Sequence, residues 1–221
     1  MSSFRGVFSS SVGTKLLIGL TGLLLFAYLL LHLAGNLLVF AGRDTFNHYS
    51  HTLISNPLVI PVEIGLIGVF VLHVYKTVGM WLRNRAARPV AYEKKAWAGH
   101  TSRKSVASAT MIWTGLVTLV FVGVHLQQFK FGAWYEAGDP PIRDLYRTEA
   151  ETFTSPIWVS AYVICMVLVG LHLRHGIASA FQSLGVDHPI YTKRIVALGT
   201  IVAVAIAAGF AVIPVWVYLT Q

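Results

Sequence analysis

Cysteine and charge are the two things this sequence has least of. The one cysteine, Cys165, lies inside an apolar run. The chain therefore has neither a disulfide framework nor a cysteine-based metal cluster of its own, and Cys165 reads as a small buried hydrophobe. Charged residues make up 12% of the sequence, about half of the ~25% usual in a soluble domain. Hydrophobic residues make up 55%, and the mean hydropathy is +0.65. So few charges cannot cover a water-facing surface, which makes lipid the expected solvent. Acids are scarcer than bases, leaving a net charge of +8. A nucleic-acid partner is not implied, because the bases are confined to particular connections rather than spread over one face.

Runs of apolar residues near the length of a membrane crossing occur five times, at roughly 14–41, 58–82, 106–129, 156–181 and 194–219. The expected fold is all-α, a single transmembrane domain over residues 1–221. The first run is too long for a cleaved signal and reads as a retained span. Asn56-Pro57 and Ser155-Pro156 mark helix starts, where proline is tolerated. With the N-terminus inside, 13 of the 17 Lys and Arg fall on the inner side, and only Arg43, Lys130, Arg143 and Arg147 on the outer. That asymmetry predicts N-in, C-out. The basic connection from Arg83 to Lys104 reads as a topology signal that meets anionic lipid, and as a docking surface for a soluble partner. The fifth span has few polar groups and is expected at the periphery, with a kink at Pro214.

Ionisable residues inside a span are functional by default, and five histidines qualify: His32, His73, His125, His172 and His175. His32 lies 18 residues, and His125 lies 19, from the inner starts of their spans. A rise of ~1.5 Å per residue puts both roughly 27–29 Å from the inner face. His73 and His172 each lie nine residues from the inner ends of theirs, or about 14 Å. Four imidazoles thus form two pairs at two levels. Paired histidines on facing helices are how a helical bundle holds haem b at both axial positions. Zinc would need further ligands at the same depth.

An internal echo accompanies the pairs. TGLLLFAYLLLHL from Thr21 and TGLVTLVFVGVHL from Thr114 both place threonine eleven residues before the histidine. Eleven residues are about three turns, so each threonine shares its histidine's face some 16 Å further in, near the inner pair. Small residues there leave room for a macrocycle. His175 lies one turn inward of His172, a neighbour for a propionate or quinone. Lys76 and Arg174 can snorkel inward toward inner propionates, or act as interfacial anchors.

The histidine contexts LLHLAGN, FVLHVYK, VGVHLQQF and VGLHLRHG resemble the dihaem cytochrome b subunit of succinate dehydrogenase and fumarate reductase. So do TFNHYSH after the first span, RNRAARPVAY after the second and SAFQSLGVDHP after the fourth. The resemblance covers most of the chain. It implies a five-helix anchor in the cytoplasmic membrane whose first four helices carry two haems b. The proximal haem would lie between His73 and His172, the distal haem between His32 and His125. It further implies a flavoprotein and an iron–sulfur subunit on the cytoplasmic side, since this chain has no flavin fingerprint and no cysteine cluster. Electrons from succinate would pass through both haems to a quinone, with menaquinone expected on family grounds.

Quinone chemistry in that family is assigned to the distal side. Glu63, ten residues before His73, lies about 15 Å outward of it. It reads either as a helix-start acid favoured by the dipole at the wet interface or as the first candidate for proton exchange with quinone; His48, Tyr49 and His51 are weaker candidates. Fumarate reductases of the family can carry a glutamate two residues before the fourth ligand, where this chain has Gly170. That departure favours succinate oxidation as the working direction. Two other readings stand beside this one: a dihaem cytochrome b serving a hydrogenase or formate dehydrogenase, and a histidine-bearing transporter or proton channel.

Overall fold

The computed structural model describes residues 10–87 and 106–220, and over them the chain is mostly helical. Helix α1 (Ser11–Asn36) tightens into a 3-10 turn at Leu37–Ala41. A polar helix, α2 (Arg43–Ser55), then leads to α3 (Val59–Ala86). Short α4 (Val106–Ala109) precedes α5 (Met111–His125), which ends in one π-helical turn at Leu126–Lys130. A two-stranded antiparallel hairpin, β1 (Glu136–Ala137) with β2 (Ile142–Arg143), leads into α6 (Leu145–Phe153). The chain finishes with α7 (Pro156–Ser183) and α8 (Tyr191–Thr220). Five of these stretches are long and apolar enough to cross a membrane: Ser11–Ala41, Val59–Ala86, Met111–Lys130, Pro156–Ser183 and Tyr191–Thr220. They match the five runs expected from the sequence to within a few residues. Most of the basic connection after α3, including Arg88 to Lys104 and His100, lies outside the described residues.

Local chemistry sets the helix ends. Ser10 caps α1, its Oγ accepting the Gly13 N–H at 3.0 Å. Asn56 Oδ1 accepts the Leu58 N–H at 2.9 Å and turns the chain into α3. Pro156 begins α7, where its missing N–H removes no helical bond. Within the helices, threonine hydroxyls return to their own backbone, as Thr118 does to the Thr114 carbonyl at 2.8 Å; lipid offers no alternative partner.

Helix α7 is the hub and packs against α1, α5 and α8. Its buried face, Met166, Val169, Leu173 and Ile177, meets Ala203 and Ile206 of α8. Apolar burial alone gives no drive between helices in lipid, so close backbone approach and van der Waals packing matter more. Gly170 is the clearest case, since a Cβ there would stand 2.9 Å from the Ala207 Cβ of α8. The fifth long helix is therefore not peripheral. Small residues at the α7–α8 contact draw it in, and it also packs on α1. It runs through the buried Pro214 as one helix.

Helix α3 is the opposite. It packs on α1, makes no extended contact with α5 or α7, and has no buried residue. An open side of the bundle thus lies between α3 and the α5–α7 pair.

Lys15, Lys76, Arg83, Arg85, Arg174, Lys193 and Arg194 lie toward one end of the bundle, here called the basic end. The other end is closed by α2, the hairpin and α6. One fully buried side chain ties this cap together. Asp144 caps α6 by accepting the Arg147 N–H at 3.1 Å, accepts from Asn47 Nδ2 at 2.7 Å, and pairs with Arg43. Asn47 Oδ1 in turn accepts the Tyr146 N–H at 3.0 Å. Arg143, also buried, gives its guanidinium to the Phe129 carbonyl at 2.7 Å and stacks on Trp134. A cation there satisfies a carbonyl left over where the third long helix ends.

Candidate functional site: two histidine pairs

The four histidines sit on α1, α3, α5 and α7, and the structure brings them together as two groups. His32 and His125 face each other edge-on with ring centroids 5.8 Å apart. His73 and His172 lie within electrostatic range of each other across the open side of the bundle.

The threonines of the internal echo bear on the second group. Thr21 Oγ1 donates to the Leu17 carbonyl at 2.6 Å and lies 3.0 Å from His73 Nδ1. Thr114 Oγ1 donates to the Met111 carbonyl at 3.1 Å and lies 3.2 Å from His172 Nδ1. A hydroxyl whose one proton is given to a carbonyl can only accept from the imidazole. Both rings are thereby set with the proton on Nδ1, which leaves the Nε2 lone pair free for a metal. The adjoining glycines bring bare backbone against the same rings. A Cβ on Gly22 would stand 3.3 Å from His73 Cε1, and one on Gly115 3.1 Å from His172 Cε1. The echo therefore extends beyond one helix: α1 serves α3 as α5 serves α7.

The other pair repeats the symmetry. His32 stacks on Tyr28 with centroids 5.4 Å apart, and His125 on Phe121 at 5.7 Å. Each aromatic precedes its histidine by four residues, one helical turn. Phe210 of α8 adds a third ring, 5.7 Å from His32. His125 Nδ1 is buried without a hydrogen-bond partner. Along α1, Thr21 and His32 set the two levels about 16 Å apart.

These residues fit a planar group held from both faces. Two metal–imidazole bonds of ~2.0–2.1 Å, with the ring half-widths added, put centroids roughly 6 Å apart, close to the His32–His125 spacing. The donor set at each level is two imidazoles. Among the described residues no three His, Cys, Asp or Glu side chains gather as a bare ion would require.

The remaining sequence candidates fall in two places. At the capped end, Glu63 of α3 is ion-paired with Lys130 of the π turn and bridges the mouth of the open side. Glu63 and Tyr49 both lie within electrostatic range of Tyr28. Tyr49 packs so closely on α1 that a Cβ at Gly35 would come within 2.6 Å of its hydroxyl. His48 and His51 are exposed on α2. At the basic end, Lys76 lines a cavity of about 210 Å³ with Thr14, Tyr75, Gly79 and Arg83. His175 is within electrostatic range of His172, whereas Arg174 is exposed. Gly170 points at α8, so a side chain there would meet α8 rather than the open side.

Several neighbours were not singled out from the sequence: Tyr28, Phe121, Lys130, Tyr162 and Phe210. The aromatic seven residues after each echoed threonine was a readable signal for Tyr28 and Phe121. The others come from distant chain segments and had none.

Fold and site define a class: a mostly helical chain with five candidate membrane spans and two histidine pairs. No family model, no curated protein and no solved structure matches the chain.

The threonine bonds carry a prediction. Thr21→Val and Thr114→Val each remove one acceptor from a half-buried imidazole that keeps a backbone carbonyl within reach, of Ile18 for His73 and Met111 for His172, costing ~0.5–1.5 kcal/mol locally. They also leave the ligand less electron-donating toward any metal on Nε2. Were a haem bound between His73 and His172, its potential would be expected to rise by tens of millivolts. One bound between His32 and His125 would be expected to keep its potential, and serine in place of threonine to restore the parent value. Potentiometric titration followed at the haem bands checks this.

Proposed function

We propose that the chain is the membrane anchor and dihaem electron-transfer subunit of a succinate:quinone oxidoreductase. It lies in the cytoplasmic membrane with its N-terminus inside. His73 and His172 hold the inner haem b, and His32 and His125 the outer one. The observation that carries the reading is the repeated constellation in which each threonine fixes the tautomer of an inner histidine while an outer histidine lies eleven residues along the same helix. The motif resemblance supplies the enzyme class.

The haems, when bound, supply a one-electron path from a cytoplasmic iron–sulfur subunit, fed by a succinate-oxidising flavoprotein, to quinone at the outer level. The chain's own part is positional. Thr21 and Thr114 present Nε2 of the inner histidines. Tyr28, Phe121 and Phe210 fix the outer rings and keep water from them. Glu63, held by Lys130 at the mouth of the open side near Tyr28 and Tyr49, exchanges protons with the quinone, menaquinone by the family resemblance. Lys76 and Arg83 present cations to inner-haem propionates.

The test is purification of the chain from its native membrane, with haem quantitation and identification of co-purifying subunits. Two haems b per chain, together with a flavoprotein and an iron–sulfur protein, are expected. A colourless preparation sinks the reading. Hydrogenase or formate dehydrogenase subunits in place of the flavoprotein would redirect it.

A further inference from the structure

Glu149 on α6 is an anomaly that the electron path does not use. Its side chain is only 6% exposed, and Oε2 has no hydrogen-bond partner. On its helix it shares a face with Leu145 and Phe153, four residues either side. Both belong to the apolar cluster at the capped end. Phe153 meets Tyr162 edge-on at 5.0 Å and Phe129 at a tilt at 5.8 Å. A buried carboxyl without a partner is costly, and the cost is least when it holds a proton.

The surroundings connect it to the outer histidine pair. Tyr162 of α7 lies within electrostatic range of Glu149. The Tyr162 ring is 6.2 Å from that of His125, and its hydroxyl donates to Gln128 Oε1 at 2.6 Å. Other charged groups on the packed elements are already engaged. Arg43 of α2 is paired with Asp144, Lys130 of the π turn with Glu63, and Arg147 with Glu151. Tyr135 of the loop before the hairpin also donates to Glu151. Arg143 of the hairpin is committed through one nitrogen to Phe129, while its Nε has no partner. Tyr146 on α6 itself joins the same apolar cluster, and the stretch Ile213–Val217 of α8 has no ionisable side chain.

We infer that Glu149 is a redox-linked proton site for the outer histidine pair: its carboxylate takes up one proton when an electron arrives on the iron between His32 and His125, and releases it when the electron leaves. The inference rests on the dihaem reading. Charge balances in each direction: the iron goes from ferric to ferrous as the carboxylate becomes a carboxylic acid, and the proton comes from water on the capped side. Burial pushes the Glu149 carboxyl up to about 8, so a modest change in nearby charge moves it between its two forms near neutral pH. Across a low-dielectric gap, one unit of charge changes a proton affinity on the order of tenfold. With this group the outer site would meet a quinone with its proton stored beside its electron.

The test is a spectroelectrochemical titration of the haem-loaded full chain from about pH 6 to about pH 10. His32→Ala serves to identify the outer haem. The parent protein is expected to show an outer-haem potential that falls as pH rises through this range, with a flat inner-haem potential. Glu149→Gln, a neutral isostere that suits the buried position, is expected to abolish most of that slope. Glu149→Asp is expected to retain it. The reduced-minus-oxidised infrared difference spectrum should carry a carboxylic C=O band that Glu149→Gln removes. An unchanged slope in Glu149→Gln overturns the inference while leaving the dihaem reading standing. A chain that binds no haem overturns the dihaem reading itself.

Discussion

His32→Ala and His125→Ala are expected to yield the same optical spectrum, each with one haem b per chain where the parent is proposed to hold two. His73→Ala and His172→Ala are expected to share a second spectrum, lacking the other haem. The expectation follows from geometry. The His32 and His125 rings face each other at 5.8 Å on α1 and α5. The inner two lie within electrostatic range of each other across the open side between α3 and α7, each turned by a threonine on a neighbouring helix. A group held on two opposite faces loses its site when either face is removed, because the remaining imidazole has no second anchor. Effects within a level are therefore strongly non-additive, as expected for residues that act as one unit. Replacing both His32 and His125 should remove no more haem than replacing one. Replacing His32 and His73 together should remove both haems. Haem-to-protein ratios and low-temperature difference spectra on the six variants settle the pairing. If His32→Ala and His125→Ala lost different haems, the two-level arrangement proposed for this chain would be wrong.

The histidine levels were legible because a helix in lipid is regular over its length. A fixed rise turns residue number into depth, and hydropathy fixes where each run begins. The same regularity exposed the Thr21 and Thr114 echo. The role of those threonines was only half legible. Spacing put them level with the inner histidines and suggested small size as the reason, whereas the contacts give them a hydrogen bond to Nδ1. That bond depends on the rotation of α3 against α1, and of α7 against α5, which no single helix pattern encodes.

The inward placement of α8 was hidden for a related reason. Gly170 and Ala207 look unremarkable in apolar runs and matter only when opposed. The cap was least legible of all. Its helices α2 and α6 are polar and short, and resemble loops. Asp144 and Glu149, which would ordinarily be solvated, are buried there by partners far away in sequence. Asn47 and Arg43 stand 97 and 101 residues from Asp144.

That distance makes Asp144 the most consequential residue outside the helix bundle. Asp144→Ala removes three acceptor contacts at once. Loss of the α6 cap costs ~1 kcal/mol. Stranding the buried Asn47 amide costs ~1–3 kcal/mol more. Arg43 adds little, because its side chain is half exposed and can turn to water. A destabilisation of about 2–4 kcal/mol is expected, confined to the contact between α2 and α6. In native-state hydrogen exchange this appears as a roughly 30- to 700-fold loss of protection at α6 amides. Amides in the middle of α7 are expected to stay unchanged.

Asp144→Asn keeps an acceptor for Arg147 and should cost less. The pH dependence has a definite sign. Burial by itself raises the carboxyl's proton affinity, but the bonds from Arg43, Asn47 and the Arg147 amide outweigh it and hold the group below its ordinary range. A carboxylate held low in the folded state contributes stability above its unfolded value, ~3.9, and that contribution is lost as pH falls through the folded value. The Asp144 contribution to cap protection, read as parent minus Asp144→Asn, should therefore be constant near neutrality and vanish only under strong acid. It sits on top of a separate decline that Glu149, its carboxyl raised to about 8, imposes on both chains as pH rises toward that value. A parent-minus-variant difference that shrank as pH rose above neutrality would contradict the Asp144 assignment, whereas a loss of protection shared by both chains in that range belongs to Glu149, which becomes an unpaired buried charge there.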